Sequence, residues 1–377
     1  MDPVKDLPPA HVAMHHEKSG FVRRNWVKLA LSALITACLL YAIAKEDMSL
    51  VPSLDKFRFV RWWTVGGYVV MLFLLTYFRA VRWRYLLRSF ADVPKARLLR
   101  LSLVGFAAIL ILPFRIGEFV RPMMLKKDIK ISMSAATGTI VAERIVDGLV
   151  VSVVLALGLL YLPTIDPLPE TVVGLSSVKM SIVRGSGFTM LAVFGIAFTT
   201  IAVFYFARDF ARRATLAVFG IFSKKLAEKL AGMASGLADG LHFLQRGRDA
   251  FPFLLETGAY WLLNGLAMWF LAWGCGVVHV DGSPIRIAEG FAMMGMLGAT
   301  VLIPGPPGLL GLFHVGIYCG MSLFFPADVI EGPGAVYTFL LYGIQGIFTT
   351  VTGGICLLDP RARRELAEAN HESIEVT

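Results

Sequence analysis

The sequence predicts an all-α polytopic membrane protein with about six to eight transmembrane helices, on three observations. The 377 residues are 56% hydrophobic and their mean hydropathy is +0.67, more apolar surface than a soluble chain of this length carries. Several apolar runs approach or exceed the roughly 18–20 residues needed to cross a bilayer. The net charge of +9, from 36 basic and 27 acidic residues, concentrates between those runs, the bias of cytoplasmic loops. Topology and an anionic lipid surface account for this basic excess, so no nucleic-acid partner is expected.

Taken in order, residues 1–25 read as a polar cytoplasmic tail rather than a cleavable signal peptide. His11 and His15 stand four apart there, a spacing that could put two imidazoles on one helix face. A disordered tail explains them more simply, and no metal or cofactor is expected. Residues 26–206 form a first membrane half. Its spans are 27–44 and 62–78, followed by a basic loop with Arg79, Arg82, Arg84, Arg88, Lys95, Arg97 and Arg100 against Asp92. That loop is expected to be cytoplasmic, and with it the N-terminus.

The next apolar segments, 98–112 and 116–125, are too short to cross comfortably. They suit a re-entrant hairpin around Pro113 and Gly117, where the chain loses a backbone donor and gains freedom to turn. The run 132–160 crosses outward, 161–184 is an external loop, and 187–206 returns. Residues 207–250 repeat Leu226, Leu230, Met233, Leu237 and Leu241 among basic residues. This is an amphipathic cytoplasmic linker.

The second membrane half is 251–358. Its first span, 253–278, carries Glu256, Tyr260 and Asn264 on one stripe. Segments 286–303 and 308–323 form a second hairpin around Pro304-Gly305-Pro306-Pro307-Gly308. Residues 325–334 are external, 335–358 cross inward, and 359–377 are a cytoplasmic tail. Six and eight crossings both satisfy two cytoplasmic termini. Ile111-Leu112-Pro113-x-x-x-Gly117 and Leu302-Ile303-Pro304-x-x-x-Gly308 share a shape, as two inverted halves would; the match is short enough for chance to produce as well.

Charges inside apolar segments locate the candidate site, because each costs about 2.5–3.5 kcal/mol at the bilayer centre on insertion scales. The richest stretch runs Pro113-Phe114-Arg115-Ile116-Gly117-Glu118-Phe119-Val120-Arg121, and Glu143-Arg144-Ile145-Val146-Asp147 follows. Glu143 and Asp147 share a helix face and repel unless a cation lies near; Arg115, Arg121 or Arg144 could supply it. These motifs resemble the lysylphosphatidylglycerol synthase transmembrane family, also called the flippase-like domain family. Pro307-Gly308-Leu309-Leu310-Gly311 is similar to its second motif, although the family usually has Glu where this chain has His314.

The resemblance spans about residues 25–358. It implies a protein that moves a lipid or lipid-linked headgroup between leaflets. Members named synthases carry a soluble transferase domain, and this chain has no stretch long and polar enough for one. No phosphate-binding loop, G-x-S-x-G or H-E-x-x-H motif occurs. The four cysteines, Cys38, Cys275, Cys319 and Cys356, show no C-x-x-C spacing.

The expected reading is a lipid flippase-like transporter of the bacterial inner membrane, without covalent chemistry or catalytic residues. Its partner is a membrane lipid with a phosphate-bearing headgroup, and a homodimer is compatible. The expected substrate residues are Arg115, Glu118, Arg121, Glu143, Arg144, Asp147, Glu256, Asn264 and His314, with Glu289 and Gln345 as further intramembrane polar groups. The alternative for all of them is a structural role, pairing and tying helices together. Two rival functions stand beside the transporter. One is a membrane glycosyl- or phosphotransferase acting on a polyprenyl carrier, with Glu143 and Asp147 as its acid–base pair. The other is a non-transporting accessory subunit.

Overall fold

Long apolar runs fold as helices because a chain in hydrocarbon must satisfy its own backbone N–H and C=O groups. The computed structural model describes residues 50–112, 117–129, 133–207, 247–302 and 306–360, with isolated positions in 34–46 and 209–228. Among them are α1 (Trp62–Val81), α2 (Trp83–Leu87), α3 (Lys95–Ile111), α4 (Val120–Ile129) and α5 (Met133–Tyr161). A small hairpin of β1 (Thr171–Val172) and β2 (Leu175–Lys179) precedes α6 (Met180–Phe206). The second run comprises α7 (Gly247–Gly274), α8 (Ile287–Val301), α9 (Leu312–Met321) and α10 (Ala335–Leu358).

Three described helices are long and apolar enough to cross a membrane: Trp62–Leu87, Met180–Thr200 and Ala327–Leu358. Helices α5 and α7, of 29 and 28 residues, match them in length and carry charged residues. The tail at 1–25, the linker from 229 to 246 and residues 361–377 lie outside the described residues, as do His11, His15 and Cys38.

Three sequence expectations change. The expected loop 325–334 is helical from Ala327 and leads through a kink at Gly332 into α10. Arg79 does not open a loop. Arg82 has helical backbone angles, φ −58° and ψ −25°, so α1 runs on into α2. The reason is local: Trp83, Tyr85, Leu86 and Leu87 continue the apolar face and are buried. The stretch 161–184 is also not wholly irregular. Gly174, at φ 71°, makes the turn that lets β1 and β2 pair, and α6 starts earlier than expected, at Met180.

The two runs are built alike. Each places a long helix first, then a shorter one that ends at Ile111 or Val301, then a 10-residue helix and a long closing helix. Their packing is reciprocal: α3 lies against α10, and α8 lies against α5. The contacts correspond in position. Ala107 meets Gly353, and Gly298 meets Val151. Ala107 and Gly298 stand equally far before Pro113 and Pro304, and Gly353 and Val151 equally far into their helices. Small residues at these crossings let backbones approach closely, which is how helices associate where lipid removes the hydrophobic drive. Helix α1 packs along α7, with Gly67 against Phe270 and Gly274 against Thr64.

Buried apolar residues form two clusters. The larger includes Tyr68, Leu72, Leu155, Leu271, Met293 and Tyr337. The smaller gathers Trp83, Leu87, Leu98, Leu125, Ile140 and Phe253. On α1, α5 and α7 alike, a polar level falls between the two in sequence, and that level is the candidate site.

Candidate functional site

Glu143 and Asp147, one turn apart on α5, would repel if left alone. The structure sets Arg82 between them. Its Nη1 donates to Asp147 Oδ1 at 2.7 Å and its Nη2 to Asp147 Oδ2 at 2.7 Å. Nη2 also reaches Glu143 Oε1 at 3.0 Å, and Nη1 reaches the Thr257 hydroxyl at 3.2 Å. The planar fork makes this possible; an ammonium could not present two parallel donors. Arg82 and Glu143 are fully buried, each at 0% exposure.

Two further arginines complete the cluster. Arg121 Nη1 donates to Glu143 Oε2 at 3.2 Å, and its guanidinium lies 4.3 Å over the Trp83 ring. Arg144 Nη2 donates to Glu143 Oε1 at 2.7 Å and lies 3.4 Å from Asp147 Oδ2. From α7, Trp261 Nε1 donates to Asp147 Oδ1 at 3.0 Å. The network therefore joins α1, α4, α5 and α7. Its backbone supports are tight. A side chain at Gly105 would overlap Arg121, and one at Gly117 would overlap the Ala108 and Ile109 backbone. These two glycines let α4 fold back onto α3.

Beside the network lies a cavity of about 280 Å³. Both halves line it: Leu72, Arg79 and Ile109 on one side, Tyr260, Asn264 and Thr349 on the other. Leu110 of α3 and Gly308, which precedes α9, meet at its edge. Arg144 faces the cavity from α5. Arg79 faces it from α1, with its guanidinium 4.1 Å over the Phe106 ring and 6.0 Å from the Tyr260 centroid. Arg79 makes no hydrogen bond or ion pair with any described residue. At this level Arg79, Arg82, Arg121 and Arg144 stand against Glu143, Asp147 and Glu118, whose charge acts on Arg144. Among described residues the balance is positive, and of the two arginines at the cavity Arg79 is the one that makes no ion pair with a described carboxylate.

The residues singled out from the sequence separate into groups. Arg121, Glu143, Arg144 and Asp147 come together; Asn264 lines the cavity. Arg115 lies outside the described residues. Glu256 does not line the cavity. It accepts from Arg84 at 2.9 Å and from the Tyr85 hydroxyl at 3.0 Å, one turn beyond Tyr260. His314 is buried behind the wall, its ring 5.0 Å from that of Tyr342, which does line the cavity. Glu289 belongs to a helix start: it accepts the Arg286 backbone N–H at 2.8 Å and pairs with His279 at 3.0 Å. Gln345 lines the cavity and donates to the Tyr68 hydroxyl at 2.8 Å.

Sequence reasoning missed Arg79, Arg82, Thr257 and Trp261. The available signal was the resumption of large apolar residues directly after Arg82. No group of three metal-ligating side chains occurs among the described residues.

No curated protein and no solved structure matches the chain. The family model described as the lysylphosphatidylglycerol synthase TM region matches residues 25–353. Because that match covers most of the chain, the chain belongs to the lysylphosphatidylglycerol synthase transmembrane family.

Proposed function

We propose that this protein moves a membrane lipid with a phosphate-bearing headgroup between leaflets, holding the phosphate at Arg79 and Arg144. The observation that carries the reading is Arg79, a guanidinium that makes no ion pair with a carboxylate among the described residues, turned into a cavity walled by both halves. An anionic oxygen pair is the partner its fork favours. The cavity volume of about 280 Å³ sits at the lower end of small-molecule sites, about 300–1,000 Å³. A cavity of that size suits one compact headgroup, which favours a phospholipid over a glycan on a polyprenyl carrier.

The reciprocal packing of the two runs supports an inverted repeat, with the substrate where the halves meet and helices are broken. Helices α3, α4, α8 and α9 have 17, 10, 15 and 10 residues. They are short for a crossing and suit re-entrant hairpins. The transferase alternative needs a carboxylate free to take or give a proton. Glu143 and Asp147 are instead engaged by three arginines, and this favours transport without covalent chemistry.

The decisive experiment is twofold: mass spectrometry of lipid that stays with the purified protein, then leaflet-resolved movement of that lipid in proteoliposomes. Co-purified phospholipid and flipping above the protein-free rate are expected. Flipping no faster than protein-free vesicles would overturn the reading.

We further propose the inner membrane of a bacterium, from the family resemblance, with both termini cytoplasmic, from the charge bias. Single cysteines at exposed Lys95 and Asp328 test this with an impermeant maleimide on intact cells. Labelling at 328 and not at 95 is expected; the reverse pattern would invert the topology.

A further inference from the structure

A headgroup held at Arg79 leaves its acyl chains to be accommodated, and the walls of the cavity differ in how firmly they are closed. Helices α1 and α7 pack along their length, as do α8 with α5 and α10 with α3. Helices α1 and α10 meet over a short stretch only. Above it, on the side of the α1 start, the Gln345 amide donates to the Tyr68 hydroxyl at 2.8 Å. Below it α3 comes between the two helices, with Phe106 under Arg79 and Ala107 against Gly353.

Between these limits, among the described residues, an aromatic pair spans the seam. Phe73 is 57% exposed on the outer surface of α1, and Phe348 lines the cavity from α10. Their rings touch edge to face, centroids 4.7 Å apart. The residues around them are small: Thr76 and Thr349 line the cavity, and a Cβ added at Gly346 would meet nothing within 4 Å. The outward neighbours Ile347 and Val351, 67% and 51% exposed, present an apolar surface suited to lipid tails. Phe73 precedes Arg79 along α1 by about 9 Å of helix rise, a span that glycerol and the first methylenes of an acyl chain can bridge. An edge-to-face pair adds little beyond the area it buries, so it can part at thermal cost.

We propose that the seam between α1 and α10 is a lateral portal, gated by Phe73 and Phe348, through which a phospholipid slides from the bilayer into the cavity with its acyl chains trailing in the membrane. This rests on the reading of the cavity as a phospholipid site. It adds the route of loading, which neither the charge network nor the family membership specifies.

The test uses the full-length protein in nanodiscs and phosphatidylglycerol carrying a fluorophore on one acyl chain, with loading followed by stopped-flow energy transfer from the protein's tryptophans. Phe73→Ala and Phe348→Ala are each expected to speed loading several-fold, and Phe73→Ala to leave the occupancy at equilibrium unchanged. Leu262→Ala, on an exposed position of α7, should change neither. A Phe73→Cys/Phe348→Cys pair, in a variant lacking the native cysteines, should stop loading when joined by a short reducible thiol linker and regain it on reduction. Undiminished loading in the linked protein, with normal occupancy, would overturn the portal alone. Absence of loading in the wild type and every variant would overturn the phospholipid reading and the portal with it.

Discussion

Replacing Arg82 with methionine is expected to destabilise the protein by about 3–5 kcal/mol, the range for stripping one partner from a buried ion pair. The physical reason is asymmetry. Arg82 supplies hydrogen bonds to both Asp147 oxygens and one to Glu143, and methionine fills similar space without them. Asp147 keeps the Trp261 indole at 3.0 Å and the edge of Arg144 at 3.4 Å, which is too little for a carboxylate at 5% exposure. Arg82→Met combined with Asp147→Asn should be less damaging than Arg82→Met alone, because the uncompensated charge is gone. Thermal unfolding of purified protein in detergent measures both. Additive losses across the double-mutant cycle would mean that the two groups do not interact.

The second large effect belongs to Arg79 and has the opposite character. Arg79→Ala is expected to weaken phospholipid binding about 10- to 100-fold, the loss of a charge-assisted hydrogen bond worth about 1.5–3 kcal/mol. The unfolding midpoint of lipid-free protein should move much less than for Arg82→Met, since Arg79 makes no direct ion pair with a carboxylate among the described residues and acts on Glu143 only from a distance. Arg79→Lys keeps the charge and loses the fork, so it should fall between alanine and wild type. Titration of lipid followed by native mass spectrometry reads this directly. Unchanged occupancy in Arg79→Ala would place the anion elsewhere. The contrast separates two arginines three positions apart: one holds the fold and one meets the ligand.

How much of this could be read from the sequence differs between residues. The end of the last helix at Leu358 is legible because Asp359 and Pro360 punctuate it, whereas at its start Pro333 and Gly334 do not stop the helix, which continues back to Ala327 through a kink at Gly332. Glu143 and Asp147 were visible as a pair because helical periodicity alone puts them on one face. Their principal partner was not. Arg82 lies 65 residues from Asp147, and Thr257 lies 175 from Arg82; no local rule links such positions. A basic run after an apolar span reads as a loop, and only burial in the folded bundle distinguishes Arg82 from Arg88, whose side chain is 35% exposed. Glu256 and His314 stood out as polar groups in apolar helices. Tertiary packing decided otherwise, turning Glu256 toward Arg84 and placing His314 behind Tyr342. Asn264, on the same stripe as Glu256, does reach the cavity.

The crossed pairing of α3 with α10 and of α5 with α8 also governs how the protein comes into being. When the ribosome finishes α6, two helices of the nascent chain still lack the neighbours that will cover them. Asp147 has Arg82 at that stage and waits for Trp261. The missing helices extend to Leu358, about 150 residues later. At about 5–20 residues per second that is roughly 10–30 s of synthesis. Through that interval the first half must be held at the insertion machinery or in the lipid without its final contacts. The contacts of α3 with α10 therefore form last, and the first half gains its final packing from the C-terminal end of the chain.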